Sequence, residues 1–356
     1  MQSFEHPKER QLRRDLRFLF QQLRNDMSET NLTALVTGGA GFIGSHIAQR
    51  LIALGHRVRI VDNLSTGFRE NVDAVGTGVE FLEGDLRDVA VCEAAMRGVQ
   101  VVFHVAALPS VPRSLRDPIG SHECNVTATL NVLEAARRAK VRRVVYSSSS
   151  SVYGDTSVLP KTESVELLPK SPYAAAKLAG ELYVLAYARA GLIDGIALRY
   201  FNVFGPRQDP NGPYAAVIPL FMRSALTGAK VPLYGDGSQT RDFTYIDNVV
   251  EANLLAATQP SERVSGWVVN CGAGTRISLL ELIQRIEGVS GRRVSVEKHA
   301  PREGDVRDSQ AGLERAKSVL GYTPHVSLEE GLRRTWSWMQ MTSGERDSAP
   351  AFSDSR

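Results

Sequence analysis

From Leu32 onward, short runs of β-branched and other apolar residues alternate with longer segments whose apolar positions return every three or four residues. The runs TALVTG, RVRIVD, VEFLEGD, VQVVFHVAA, RRVVYSS and GIALRYFN predict six strands. Between them the spacing predicts helices at about Phe42 to Leu54, Asp88 to Met96, Asn125 to Ala139 and Tyr173 to Ala190. Strand and helix in strict alternation are the signature of βαβ units, so the expected fold class is α/β, a doubly wound, mainly parallel sheet of Rossmann type. After Asn202 the pattern breaks into Pro/Gly-rich pieces, FGPRQDPNGP and LYGDGSQTRDF, which suggest a smaller C-terminal substrate-binding lobe. GWVVNCG reads as one more strand returning to the sheet.

The expected organisation has four parts. Residues 1–31 form an N-terminal extension; residues 32–202 with about 241–275 form the nucleotide-binding domain; about 203–240 with 276–341 form the second lobe; residues 342–356 form a flexible polar tail. Leu12, Leu16, Leu19 and Leu23 recur at helical spacing among arginines. They would make one amphipathic helix, for a membrane surface, a partner or the chain's own subunit, unless the stretch lies upstream of a true start at Met27.

Composition narrows the partners. The chain has 356 residues, 43% of them hydrophobic, enough for a large core, and 42 basic against 39 acidic residues give a net charge of +3. Such a balance calls for neither nucleic acid nor a charged membrane, and no segment approaches the length of a membrane span. Cys92, Cys124 and Cys271 show no paired metal spacing, which fits reduced packing thiols in a cytoplasmic protein and no metal site.

Two motifs carry chemistry. VTGGAGFIG follows the first strand and opens the first helix, with Gly38, Gly41 and Gly44 placed for a tight turn and for close approach of a pyrophosphate to the helix N-terminus. Asp62 ends the second strand, where a carboxylate can accept both hydroxyls of an adenosine ribose and repel a 2′-phosphate, so the expected cofactor is NAD rather than NADP. Asp85, ending the third strand, is placed to reach the adenine edge. SPYAAAK puts Tyr173 and Lys177 four apart on one helix face. A positive charge on Lys177, with that of a nicotinamide, would favour the phenolate of Tyr173 and make it a base toward a substrate hydroxyl. The run of five serines from Ser147 to Ser151 lies at the carboxyl end of the fifth strand, where ligands bind in open α/β sheets.

TGGAGFIG, DNLSTG, GDLRD, HVAA, SSSSSVYG, SPYAAAK and RYFNVFGPRQ together resemble the extended short-chain dehydrogenase/reductases of the NAD-dependent epimerase/dehydratase family, over roughly Leu32 to Gln340. AALPSVPRS, QDPNGPYAAVIP and GDVRDSQA are similar to UDP-hexose 4-epimerases, particularly those accepting N-acetylated sugars. The resemblance implies a homodimeric isomerase that holds NAD tightly. Tyr173 takes the 4-hydroxyl proton, Lys177 holds the nicotinamide ribose, and a serine, Ser148 or Ser149, bonds O4. Family members that eliminate water or carboxylate carry acidic residues where Ser150 and Ser151 stand here. By the same resemblance Phe42, Ile43, Asn63, Ser65, Thr66, Gly67, Leu86, Ala106, Ala107, Asn125 and Phe201 join the cofactor site. Asn202, Arg241 and Arg302 would meet the substrate diphosphate, Asp305 the uridine ribose, and Leu233 and Tyr234 the uracil. Ser110, Ala216 and Val217 would complete the substrate site, with small Ser309 beside the sugar C2 substituent. Alternatives on the same site are a UDP-uronate 4-epimerase and a nucleotide-sugar 4-ketoreductase; a non-enzymatic NAD sensor is the alternative of another class.

Overall fold

The computed structural model describes residues 32–212, 215–301 and 306–348. The leucine-spaced extension and the possible start at Met27 lie outside the described residues, as do Arg302 and Asp305. The strands are β1 (Thr33–Thr37), β2 (Arg57–Asp62), β3 (Val79–Glu83), β4 (Val101–His104), β5 (Arg143–Ser149), β6 (Asp194–Tyr200), β7 (Val203–Phe204), β8 (Val231–Tyr234), β9 (Thr240–Arg241), β10 (Thr244–Tyr245), β11 (Val268–Cys271), β12 (Ile277–Ser278) and β13 (Val296–His299). Seven of them form one parallel sheet in the order β11-β6-β5-β4-β1-β2-β3. The GWVVNCG segment does return to the sheet, at its edge beside β6.

The main helices are α1 (Phe42–Ala53), α2 (Val89–Ala95), α3 (Ala128–Arg138), α4 (Pro172–Arg189), α5 (Val217–Thr227), α6 (Ile246–Thr258), α7 (Leu279–Ser290) and α8 (Leu328–Ser348). Local chemistry sets several of their starts. Ser171 accepts a hydrogen bond from the Ala174 N–H and Pro172 occupies the first turn of α4. Ser278 and Glu281 form a reciprocal capping box on α7, which ends at left-handed Gly291. The helix expected from Asn125 begins instead with a π turn, Glu123–Thr127, before α3. Residues 342–348, expected in a flexible tail, instead continue α8, which runs to Ser348; residues 349–356 lie outside the described residues. Each residue added to an anchored helix gains a backbone hydrogen bond, so polar composition alone does not end it.

Period-two alternation distributes the strand residues between two faces. Ala34 and Val36 of β1 join Ile47, Leu51, Val249 and Leu255 in one buried cluster, whereas Leu35 joins Cys92, Val132, Leu133 and Val184 in the other. Each fully buried apolar side chain contributes roughly 1.5–3 kcal/mol relative to leaving it in water. Cys92 and Cys271 are buried packing residues and Cys124 is half-buried, all three unpaired. No helix among the described residues is long and apolar enough to cross a membrane.

Candidate active site

After β3 the chain crosses back to place β4 on the other side of β1, so the strand order reverses between β1 and β4. Crevices at such reversals open at the carboxyl ends of the strands. A cavity of about 690 Å³ lies there. Gly38, which opens the glycine loop after β1, has φ +67° and no room for a methyl, whose carbon would lie 2.7 Å from Ala106 Cα. At Gly44 the corresponding carbon would lie 2.3 Å from the Gly38 carbonyl oxygen. The loop is thereby pressed between the first turn of α1 and the segment after β4. Helix α1 has no side-chain cap and no acidic residue in its first turn.

Asp62 ties this loop to β2. Its carboxylate accepts the Ala40 N–H at 3.0 Å and the Leu64 N–H at 2.9 Å, and burial lifts its pKa above the ordinary value against those bonds. Asp85 is gripped by Arg87, at 3.1 and 2.8 Å, and by Asn63 at 3.0 Å, and the Arg87 contact pulls its pKa down to about 2. Gly38, Gly41, Phe42, Ile43, Gly44, Asp62, Asn63, Ser65, Thr66, Gly67, Asp85, Leu86, Ala106 and Ala107 all line the cavity. So do Ser110, Ser148, Tyr173, Lys177 and Ala216.

His104, unassigned by sequence reasoning, organises the floor between β1 and β4. Thr129 Oγ1 donates to the Asn125 carbonyl at 2.7 Å, so it accepts from His104 Nε2 at 2.9 Å. Nδ1 is then the acceptor for Thr37 Oγ1 at 2.8 Å, and that oxygen accepts the N–H groups of Val105 and Ala106, both at 3.1 Å. This tautomer is the one the network satisfies completely. Burial pulls the His104 pKa down to about 3, so the ring stays neutral.

The serine run divides its work. Ser147 bonds the Tyr200 hydroxyl at 2.9 Å, and Ser148 donates to Glu181 at 2.8 Å. Ser149 accepts from the Ser151 hydroxyl at 2.9 Å and from its N–H at 3.2 Å, which leaves the Ser149 proton for a bond to Tyr173. Burial pushes the Tyr173 phenol up, and the Ser149 bond opposes that. Lys177 is pulled down to about 7 by burial, with the charge of Glu181 acting against it. Its Nζ lies 4.6 Å from the centre of the Tyr146 ring.

Several expected contacts are turned elsewhere. Phe201 is fully buried against Tyr153 and Ala311 rather than facing the cavity, because the residues after β6 enter a separate apolar cluster. Asn125 does not line the cavity either. It accepts the Leu108 N–H at 2.8 Å and donates to the Leu108 carbonyl at 3.2 Å, holding the loop after β4. Leu233 points into the main core because strand alternation directs it inward, while Tyr234 is half-buried and packs on His299. Val217 also packs against that core from the start of α5. Asn202 donates to the Asp242 carbonyl at 3.0 Å. Arg241 donates to the carbonyls of Thr240 and Arg307, both at 2.9 Å, and Ser309 is buried with its N–H on the Thr240 carbonyl at 3.1 Å. Lining residues not singled out from sequence include Arg113, Cys124, Gln208 and Asp209. The last two belong to the QDPNGP segment, whose Pro/Gly content marks a loop without saying where it folds.

The residues present fit a dinucleotide. An uncapped helix start behind a glycine loop offers N–H groups to a pyrophosphate, and the cavity runs from there past Asp62 in one direction and to Tyr173 in the other. Comparison with known proteins agrees with this geometry. Residues 34–272 match the sequence profile described as the NAD dependent epimerase/dehydratase family. A UDP-glucose 4-epimerase of Mycolicibacterium smegmatis is 41% identical over 313 residues, 85% of this chain and 97% of the relative. Among solved structures, UDP-glucose 4-epimerase of Thermotoga maritima with UDP-glucose superimposes with a TM-score of 0.83 at 38% identity, over 88% of this chain and 100% of that one. UDP-N-acetylglucosamine 4-epimerase of Methanobrevibacter ruminantium, in complex with UDP-N-acetylmuramic acid, gives 0.82 at 38% identity, over 88% and 99%.

Proposed function

The chain belongs to the NAD dependent epimerase/dehydratase family, and from that premise we propose that it inverts C4 of a UDP-hexose through a 4-keto sugar, with UDP-GlcNAc and UDP-GalNAc as its main pair and UDP-Glc and UDP-Gal as further substrates. One observation carries the reading. Tyr173 and Lys177 face one cavity, the Ser149 hydroxyl favours ionisation of the Tyr173 phenol, and residues 150 and 151 are serines, so no carboxylate stands there to drive elimination.

Bound NAD would supply hydride acceptance at C4 and hydride return. The glycine loop and the α1 N-terminus would hold its pyrophosphate, and Asp62 its adenosine ribose. Tyr173 takes the 4-hydroxyl proton as the ketone forms and returns it when the alcohol is restored on the other face. Burial favours the protonated phenol and the Ser149 hydroxyl opposes it; a charged Lys177, one turn along the helix, would add to that and make phenolate accessible. Ser149 bonds O4, and the Ser151 to Ser149 bond continues the hydroxyl chain behind it. Small Ala216 on the cavity wall supports room for an acetamido group, and Ser309, small and buried but outside the cavity lining, would join it on the side of the sugar C2 substituent. Arg241, with Arg302, would pair with the diphosphate. A homodimer is the proposed assembly.

A panel of UDP-sugars, with products identified by NMR and bound nucleotide measured after purification, tests the reading. The expected result is retained NAD and C4 epimers of the N-acetylated pair. Turnover of uronates alone, or consumption of one NADH per product, would replace it with the uronate epimerase or the ketoreductase.

A further inference from the structure

Tyr173, Lys177 and Glu181 follow one another at four-residue intervals along α4 and share the face turned to the sheet. Lys177 and Glu181 are 3% and 1% exposed. The Glu181 carboxylate accepts from Ser148 Oγ at 2.8 Å, from Arg199 Nε at 2.9 Å and from Arg199 Nη2 at 2.6 Å. Ser148 and Arg199 are direct partners across β5 and β6, so one carboxylate spans both strands one residue from Ser149. Arg199 is as buried as Lys177 and lies 4.7 Å from the centre of the Tyr153 ring. Two further contacts fix α4 on β5. The Tyr146 hydroxyl donates to the Lys177 carbonyl at 3.3 Å, and Gly180 leaves no room for a side chain above that hydroxyl.

The charge balance of this dry layer follows. A guanidinium cannot be deprotonated, whereas a buried ammonium can. Around Lys177 stand the Tyr146 ring from β5, neutral His104 from β4, Tyr173 and Glu181 on its own helix, and Arg199 from β6 behind Glu181. Cys124 of the π turn and Arg113 line the same cavity. We propose that Glu181 is a positioning residue of the site: by neutralising Arg199 it lets Lys177 keep its proton, and so sets how readily Tyr173 ionises. This rests on the reading of Tyr173 as the base.

Glu181→Gln preserves length and an acceptor for Ser148 but leaves Arg199 uncompensated, and Lys177 is the cation able to discharge. In that variant Tyr173 should ionise roughly 1 pH unit or more higher, and kcat at neutral pH should fall about tenfold, with KM and NAD content unchanged. Glu181→Gln with Arg199→Met removes both charges and should bring the ionisation back part of the way toward its wild-type position, to less than roughly 1 unit from it, the remainder being the direct pull of Glu181 on Lys177 that is lost with the carboxylate. A merely structural role predicts instead that the second substitution adds to the damage. Ultraviolet difference titration of tyrosinate, with Tyr173→Phe subtracted, reads the ionisation directly. An unmoved titration in the single variant, or a double variant displaced as far as the single one, overturns the proposal; a double variant displaced by roughly 1 unit or more overturns it even if the single variant does not fold. Failure of wild-type enzyme to epimerise any UDP-hexose would overturn the functional reading separately, since the titration needs no turnover.

Discussion

At Tyr173 the ring and the hydroxyl can be separated. Replacing it with Phe keeps the half-buried ring and removes the proton acceptor, so epimerisation should fall roughly 100-fold or more, as losses of a general base do, while the amount of NAD carried through purification stays the same. Turnover near wild type would remove Tyr173 from the mechanism. Ser309 offers the opposite experiment, adding bulk where little space exists. It is 5% exposed and fixed by its N–H, so Ser309→Tyr must displace neighbours or fill the space assigned to the acetamido group. Overpacking of that kind costs about 1–3 kcal/mol, and kcat/KM for the acetylated pair should drop roughly 10- to 100-fold while plain hexoses are retained. An unchanged ratio between the two classes, measured side by side, would detach Ser309 from specificity. Among the serines, counting residues left Ser148 and Ser149 open as the O4 contact. Of the two only Ser148 lines the cavity, but its proton is engaged by Glu181, 33 residues along the chain, so Ser149 is the one we propose. Such a partner cannot be read from the run itself.

Elements were more legible than their contacts. β-Branched runs covered on both faces announce themselves: the first four strands fall within the segments that predicted them, and β5 and β6 run past theirs by one residue, Ser149 and Asp194. The π turn at Glu123–Thr127 left no mark in the apolar spacing, since one extra residue per turn is lost within a longer helical pattern. The junction of β1 and β4 was equally silent, because its partners Thr37, His104 and Thr129 come from three distant segments. That junction makes a pH prediction. His104 has a folded pKa of about 3 against 6.5 when unfolded, so between these values the unfolded chain binds the extra proton. Stability contributed by the neutral ring is therefore full above pH 6.5 and is lost as pH falls toward 3, by about 2 kcal/mol at pH 5. Thermal unfolding followed from pH 7 to pH 5 should show this decline, and His104→Gln should flatten it. An identical slope in the variant would place the acid sensitivity elsewhere.

For the whole molecule, the proposed dimer would pair α3 and α4 with their copies. Leu182 and Tyr183 of α4 are 54% and 39% exposed, whereas Leu185 on the same helix is buried against the sheet. Leu182→Glu should shift sedimentation at micromolar concentration from dimer toward monomer; a wild-type chain that sediments only as monomer would refute the assembly. The strand order also bears on how the chain is made. By Tyr200, six neighbouring strands of the sheet exist, and the seventh, starting at Val268, only extends its edge. A ribosome adding 5–20 residues per second needs roughly 3 to 14 s to travel from one to the other. Through that interval the nascent sheet presents the open edge of β6, Asp194–Tyr200, whose last six residues are buried once the protein is complete. Unpaired apolar edges of this kind are where nascent chains stick to one another, which makes β6 the segment a cellular chaperone has most reason to shield during synthesis.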